Sequence, residues 1–176
     1  MIKQSIRSHF MNRKTRYILR YLFVVLLGVF LHFAYELSGE NPIVGLFANI
    51  NESVWEHLKL VFFPMLVLTL WDMFTNQRNN LCFLPARTLG TLAGMTFVVV
   101  VYYTITGILG FQTGWLNILI YLLGILFVFF VEKKLCHRCN TISVKISIVL
   151  WVLFIILFIV FTIAPPALGI FIPPAA

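Results

Sequence analysis

The chain has 176 residues, of which 61% are hydrophobic, 16% aromatic and only 11% charged, with a formal net charge of +7. That balance excludes an ordinary soluble domain and indicates an integral membrane protein whose core is completed by lipid. The positive charge does not indicate a nucleic-acid partner, because the basic residues flank apolar stretches, where membrane orientation accounts for them.

In chain order, residues 1 to 16 form a basic tail with Ile2, Ile6 and Phe10 four residues apart, the pattern of a short interfacial helix on an anionic membrane surface. Five apolar stretches follow, approximately Tyr17 to Leu37, Val54 to Phe74, Arg87 to Leu109, Trp115 to Val131 and Val144 to Ala164. Each is long enough to cross about 30 Å of hydrocarbon as a helix. The expected fold is therefore an all-α polytopic bundle of five membrane-spanning helices in one domain, residues 17–164. Residues 165–176 follow as a Pro-rich extracytoplasmic tail.

An odd number of spans places the termini on opposite sides. Of the thirteen basic residues, all except Lys59 then fall on the side of the N-terminus, and the positive-inside rule makes that side cytoplasmic: N-in, C-out. The first span follows basic residues as a signal peptide does, but Glu36 and Glu40 stand where a small-x-small cleavage site would be, so a retained anchor is expected. Cys82, Cys136 and Cys139 all lie in the loops on that reducing side, where free thiols are expected over a disulfide or zinc.

Between the first two spans, residues 38–50 open with turn formers and end in an apolar run too short to cross, a loop dipping into the interface as a wall or lid. In the second span Pro64 marks a kink, Trp55 and Trp71 suit the two interfaces, and Asp72 is expected to pair with Arg20, Arg78 or another nearby base. In the third, Gly90 and Gly94 form a G-x-x-x-G ridge for close packing against another helix of the chain. The paired prolines 165–166 forbid further helix and favour an extended tail.

Chemistry concentrates in His32-Phe33-Ala34-Tyr35-Glu36 and in the block Asn51 to Lys59, which together hold three of the six acids and two of the four histidines. His32 lies one turn from Glu36, and Glu52 one turn from Glu56 with Lys59 next along the stripe. His32, Glu36, Glu52 and His57 make a nitrogen and oxygen donor set suited to a divalent metal ion. The leading expectation is an outward-facing pocket between the first two spans that binds such an ion or a polar lipid head group, for metal-assisted hydrolysis or transfer, with Glu56 as a base or capping residue and Lys59 as a neutraliser of substrate charge. A purely structural reading stands beside it. Ser53-Val54-Trp55-Glu56 fits a capping box, and Lys59 with either acid, or His32 with Glu36, would clip the first two helices together. A transport reading uses the same acids to bind a cation or relay protons. Further partners on these readings are membrane lipids, a second copy of the chain or another membrane subunit. No Walker loop, dinucleotide glycine pattern, nucleophile elbow or H-E-x-x-H is present.

The block Asn51-Glu52-Ser53-Val54-Trp55-Glu56-His57-Leu58-Lys59 resembles an uncharacterised family of small polytopic membrane proteins found mainly in Gram-positive bacteria. His32-x-x-x-Glu36-x-Ser38-Gly39, Val44-Gly45-x-Phe47 and Pro165-Pro166 extend the resemblance over most of the chain. The resemblance implies a bacterial plasma-membrane location and a site at these residues, and no reaction. The family's tail continues through an acid-proline pair. Here Phe171-Ile172-Pro173-Pro174 carries no acid, so no ligand is expected from it.

Overall fold

In the computed structural model, residues 13–75, 81–110, 113–135 and 141–174 are described. They contain no strand, and five helices are long and apolar enough to cross a membrane. These are α1 (Arg13–Leu37), α3 (Val54–Thr75), α4 (Leu84–Leu109), α5 (Gly114–Leu135) and α6 (Thr141–Ile163); a four-residue α2 (Pro42–Gly45) lies in the first connection. The spans expected from hydropathy match these helices to within a turn or so at most ends. The N-terminal interfacial helix lies outside the described residues.

Local chemistry sets the boundaries. Asn41 caps α2 through its Oδ1, which accepts from Ile43 N–H at 2.9 Å, and Pro42 occupies the first turn, where a missing N–H costs nothing. A 3-10 turn, Leu81–Phe83, leads into α4. Gly110, at φ 72°, closes α4 by donating its N–H to Thr106 O at 2.9 Å.

α3 is the central helix, with Val61, Phe62, Phe63, Met65 and Leu68 all buried. Its interior position is reflected in sequence: apolar residues occupy nearly every face of it. α4 and α5 form a tight antiparallel pair through the G-x-x-x-G ridge. A Cβ at Gly90 would stand 2.7 Å from Val128 O, and one at Gly94 would stand 2.9 Å from Gly124 O, so only hydrogen fits between these backbones. The outer faces carry large exposed apolar side chains, among them Leu26, Phe30, Ile118 and Val149, the surface that lipid covers in a multi-pass protein.

The C-terminal segment departs from the extended form expected of it. After the prolines a 3-10 turn, Gly169–Phe171, folds back on the bundle, and the Phe171 ring packs 4.9 Å from Trp55 and 5.2 Å from Phe161 between centroids. Trp55 is thereby buried among rings of α6 and this turn, whereas Trp71 remains exposed. The prolines stop the helix, but aromatic burial decides where the chain then goes.

The bundle has two charged ends. The His/Glu end gathers the end of α1, α2 and the starts of α3 and α5. The basic end gathers the starts of α1 and α4 and the ends of α3 and α5.

Candidate metal centre and the opposite ion network

At the His/Glu end, His32 comes from the last turns of α1, His57 from the first turn of α3, and Glu52 from the loop just before α3. One ligand atom from each lies within 4.8 Å of the others. His57 Nε2 is 3.4 Å from Glu52 Oε2, and the two imidazole centroids are 5.5 Å apart. Among the described residues this is the His/Cys/Asp/Glu group close enough to hold a metal ion.

The imidazoles are oriented from behind. His57 Nδ1 lies 2.9 Å from Ser53 O, and a carbonyl only accepts, so the proton sits on Nδ1 and leaves the Nε2 lone pair facing Glu52. His32 Nδ1 lies 3.2 Å from Asn49 Nδ2, while Asn49 Oδ1 is buried without a partner. The two ends of an amide are interchangeable in shape. Turned over, Asn49 would accept from His32 Nδ1–H and leave Nε2 of His32 as the ligand nitrogen. Glu52 is 61% exposed through its side chain, so the group opens to the surface. On its inner side a cavity of about 40 Å³ is lined by Glu52, His57, Asn117 and Tyr121.

Glu36, one turn from His32, is exposed and is not among the three gathered residues. Glu56 and Lys59 are brought together elsewhere. Lys59 Nζ, fully buried, donates to Glu56 Oε2 at 2.7 Å, Gly45 O at 2.9 Å and Ala48 O at 3.2 Å. Glu56 Oε2 also accepts from Ile50 N–H at 3.1 Å, and the Thr162 hydroxyl of α6 lies 3.3 Å from Oε1. The three ammonium donors are thus engaged by Glu56 and by two loop carbonyls, and Glu56 Oε2 is held by Lys59 and the loop, while the Thr162 hydroxyl beside Oε1 donates to Phe158 O at 2.7 Å. The capping box forms in one direction only: Ser53 Oγ accepts from Glu56 N–H at 3.4 Å, while Ser53 N–H donates to Asn51 Oδ1 at 2.9 Å. The loop expected as a wall is tied down by this lysine.

The basic end holds a network that sequence reasoning located only in part. Asp72 pairs with Arg20 at 2.6 Å, as expected, and its other oxygen takes Arg87 Nη2 at 2.9 Å. Arg87 Nη2 also reaches Glu132 Oε1 at 2.8 Å, and the Arg87 side chain is 1% exposed. Arg87 counts in the sequence as one more orienting charge, and Glu132 carries no sequence expectation. Nothing in their spacing pairs residues 45 apart. The near-complete burial is the signal, and it appears only after folding. Arg78, the other base considered for Asp72, lies outside the described residues. Cys82 is disulfide-bonded, which corrects the expectation of a free thiol there. Cys136 and Cys139 lie outside the described residues.

A family model described as a family of unknown function, DUF6512, matches residues 6–175. Comparison with curated proteins and with solved structures found no match. Because the matched range takes in all five long helices and both charged ends, the chain belongs to the DUF6512 family.

Proposed function

We propose that His32, Glu52 and His57 bind a divalent metal ion, and that this centre serves metal-assisted hydrolysis or group transfer on a polar lipid head group at the outer face of a bacterial plasma membrane. The observation that carries the reading is the convergence of two imidazoles and a carboxylate within 4.8 Å. Two histidines and one acid are a ligand set of catalytic zinc sites, which leave a further position for water or substrate. The backbone carbonyl behind His57 supplies the outer contact such ligands use to fix their protonated nitrogen. Placement at the surface of the bundle fits a substrate arriving from the lipid interface.

Glu56 and Lys59 act in this reading as positioning residues, since their polar atoms are already engaged inside the loop. The transport alternative has less support. Val24, Val61, Met65, Leu68, Ile125 and Val128 are buried in the described interior, and the buried Thr69, Thr88 and Thr91 hydroxyls donate to carbonyls of their own helices, whereas a relay needs connected polar groups.

Elemental analysis of the purified full chain, after incubation with Zn²⁺ or Mn²⁺ and removal of loose metal, tests the centre. About one ion per chain is expected, falling to background in His32→Ala and in Glu52→Ala. An unaltered chain that retains neither metal overturns the proposal.

A further inference from the structure

The basic end contains a second cavity, unrelated to the metal centre, of about 730 Å³. This is within the range of cavities that hold small molecules. Three guanidinium groups, Arg16, Arg20 and Arg87, line it against two carboxylates, Asp72 and Glu132, leaving one positive charge in excess. Asp72 divides its oxygens between Arg20 and Arg87, and Glu132 Oε1 takes Arg87. No ion-pair or hydrogen-bond partner of Arg16 occurs among the described residues.

Two buried atoms on the cavity's lining residues lack partners: Arg87 Nε, a cationic donor, and Glu132 Oε2, an acceptor. A buried donor or acceptor left unpaired costs about 1–3 kcal/mol, and more when it is charged. A ligand that paired with both would carry an anionic group for the guanidinium edge beside a hydroxyl donor for the carboxylate. Apart from Tyr17 and Thr75 the remaining wall is apolar, with Phe23, Val67 and Trp71 exposed on the faces of α1 and α3.

We propose that this cavity binds a phosphate headgroup carrying free hydroxyls, as in a phosphoglycerol. Its anionic oxygens would lie against Arg16 and Arg87, its hydroxyl against Glu132, and any acyl chains along Phe23 and Val67. A lipid and a soluble glycerol phosphate share this chemistry.

Native mass spectrometry and thermal unfolding of the full chain in neutral detergent, with phosphatidylglycerol, phosphatidylcholine or glycerol 3-phosphate added, distinguish them. Binding and stabilisation by phosphatidylglycerol in preference to phosphatidylcholine support a lipid ligand. The same response to glycerol 3-phosphate alone supports a soluble one. Arg16→Gln, which breaks no pairing among the described residues, is expected to weaken the preferred ligand roughly tenfold, the scale of one charge-assisted contact. Arg20→Gln, which leaves Asp72 paired with Arg87, provides a second variant. Lys133→Gln, at the same end and outside the cavity lining, is expected to change binding less than twofold. Equal binding of both lipids with no response to glycerol 3-phosphate, or equal losses in Arg16→Gln and Lys133→Gln, overturns the proposal, because either describes a nonspecific attraction to charge.

Discussion

Asn49 shows how one buried side chain can set the chemistry of a neighbour. Its amide is the contact to His32 Nδ1, so it determines which imidazole nitrogen keeps the proton. Replacing such a partner of a metal-bound histidine typically costs 10- to 100-fold in affinity. Asn49→Leu is accordingly expected to weaken Zn²⁺ binding by roughly that factor, read by competition with a chromophoric chelator, whereas Asn49→Asp, which keeps an acceptor, should retain most of it. Equal affinities in all three proteins would show that His32 does not use Nε2 as a ligand. Lys59→Met tests a different residue-scale effect. It strands the Glu56 carboxylate in a buried site and should destabilise the protein by about 3–5 kcal/mol, seen as a lower unfolding midpoint in detergent, with partial recovery in the Lys59→Met, Glu56→Gln double variant.

At the level of elements, the helices were legible because apolar length alone defines them, and the histidine and acid cluster because the chain places those residues at the matching ends of consecutive spans. The details that escaped are the ones decided by rotation and long-range pairing. His32 and Glu36 share a face by spacing, yet α1 ends at Leu37 and leaves Glu36 exposed. Glu56 suits a reciprocal cap, but Lys59 and Ile50 N–H draw its carboxylate into the loop. The Gly90 and Gly94 ridge, by contrast, needed no partner to be recognised, and α5 supplies one. Gly94→Leu should force α4 and α5 apart and cost about 1–3 kcal/mol or more, measured by unfolding in detergent. A variant as stable as the parent would mean that this contact does not hold the pair together.

For the whole molecule, the five long helices put the termini of the bundle at opposite ends, and we propose from the positive-inside rule that the end rich in Lys and Arg is the cytoplasmic one. With the basic end cytoplasmic, a membrane-impermeant maleimide applied to intact cells should label Glu40→Cys and spare Lys133→Cys in a chain whose native cysteines are replaced by serine. The reverse pattern would place the His/Glu centre inside the cell and remove the outer-face substrate from consideration. The Arg20–Asp72–Arg87–Glu132 network joins α1, α3, α4 and α5, so four of the five long helices are fastened together at one end of the bundle.

The lysine tether has a mechanical consequence for the opposite end. A single ammonium grips the backbone at Gly45 and Ala48, immediately before the residue that steadies the first imidazole, while its own helix carries the second. The spacing between the two imidazoles is therefore governed from a point neither of them touches. Loosening that grip should let the rings drift out of register, so that ion capture fades in Lys59→Met even though every donor atom is still present.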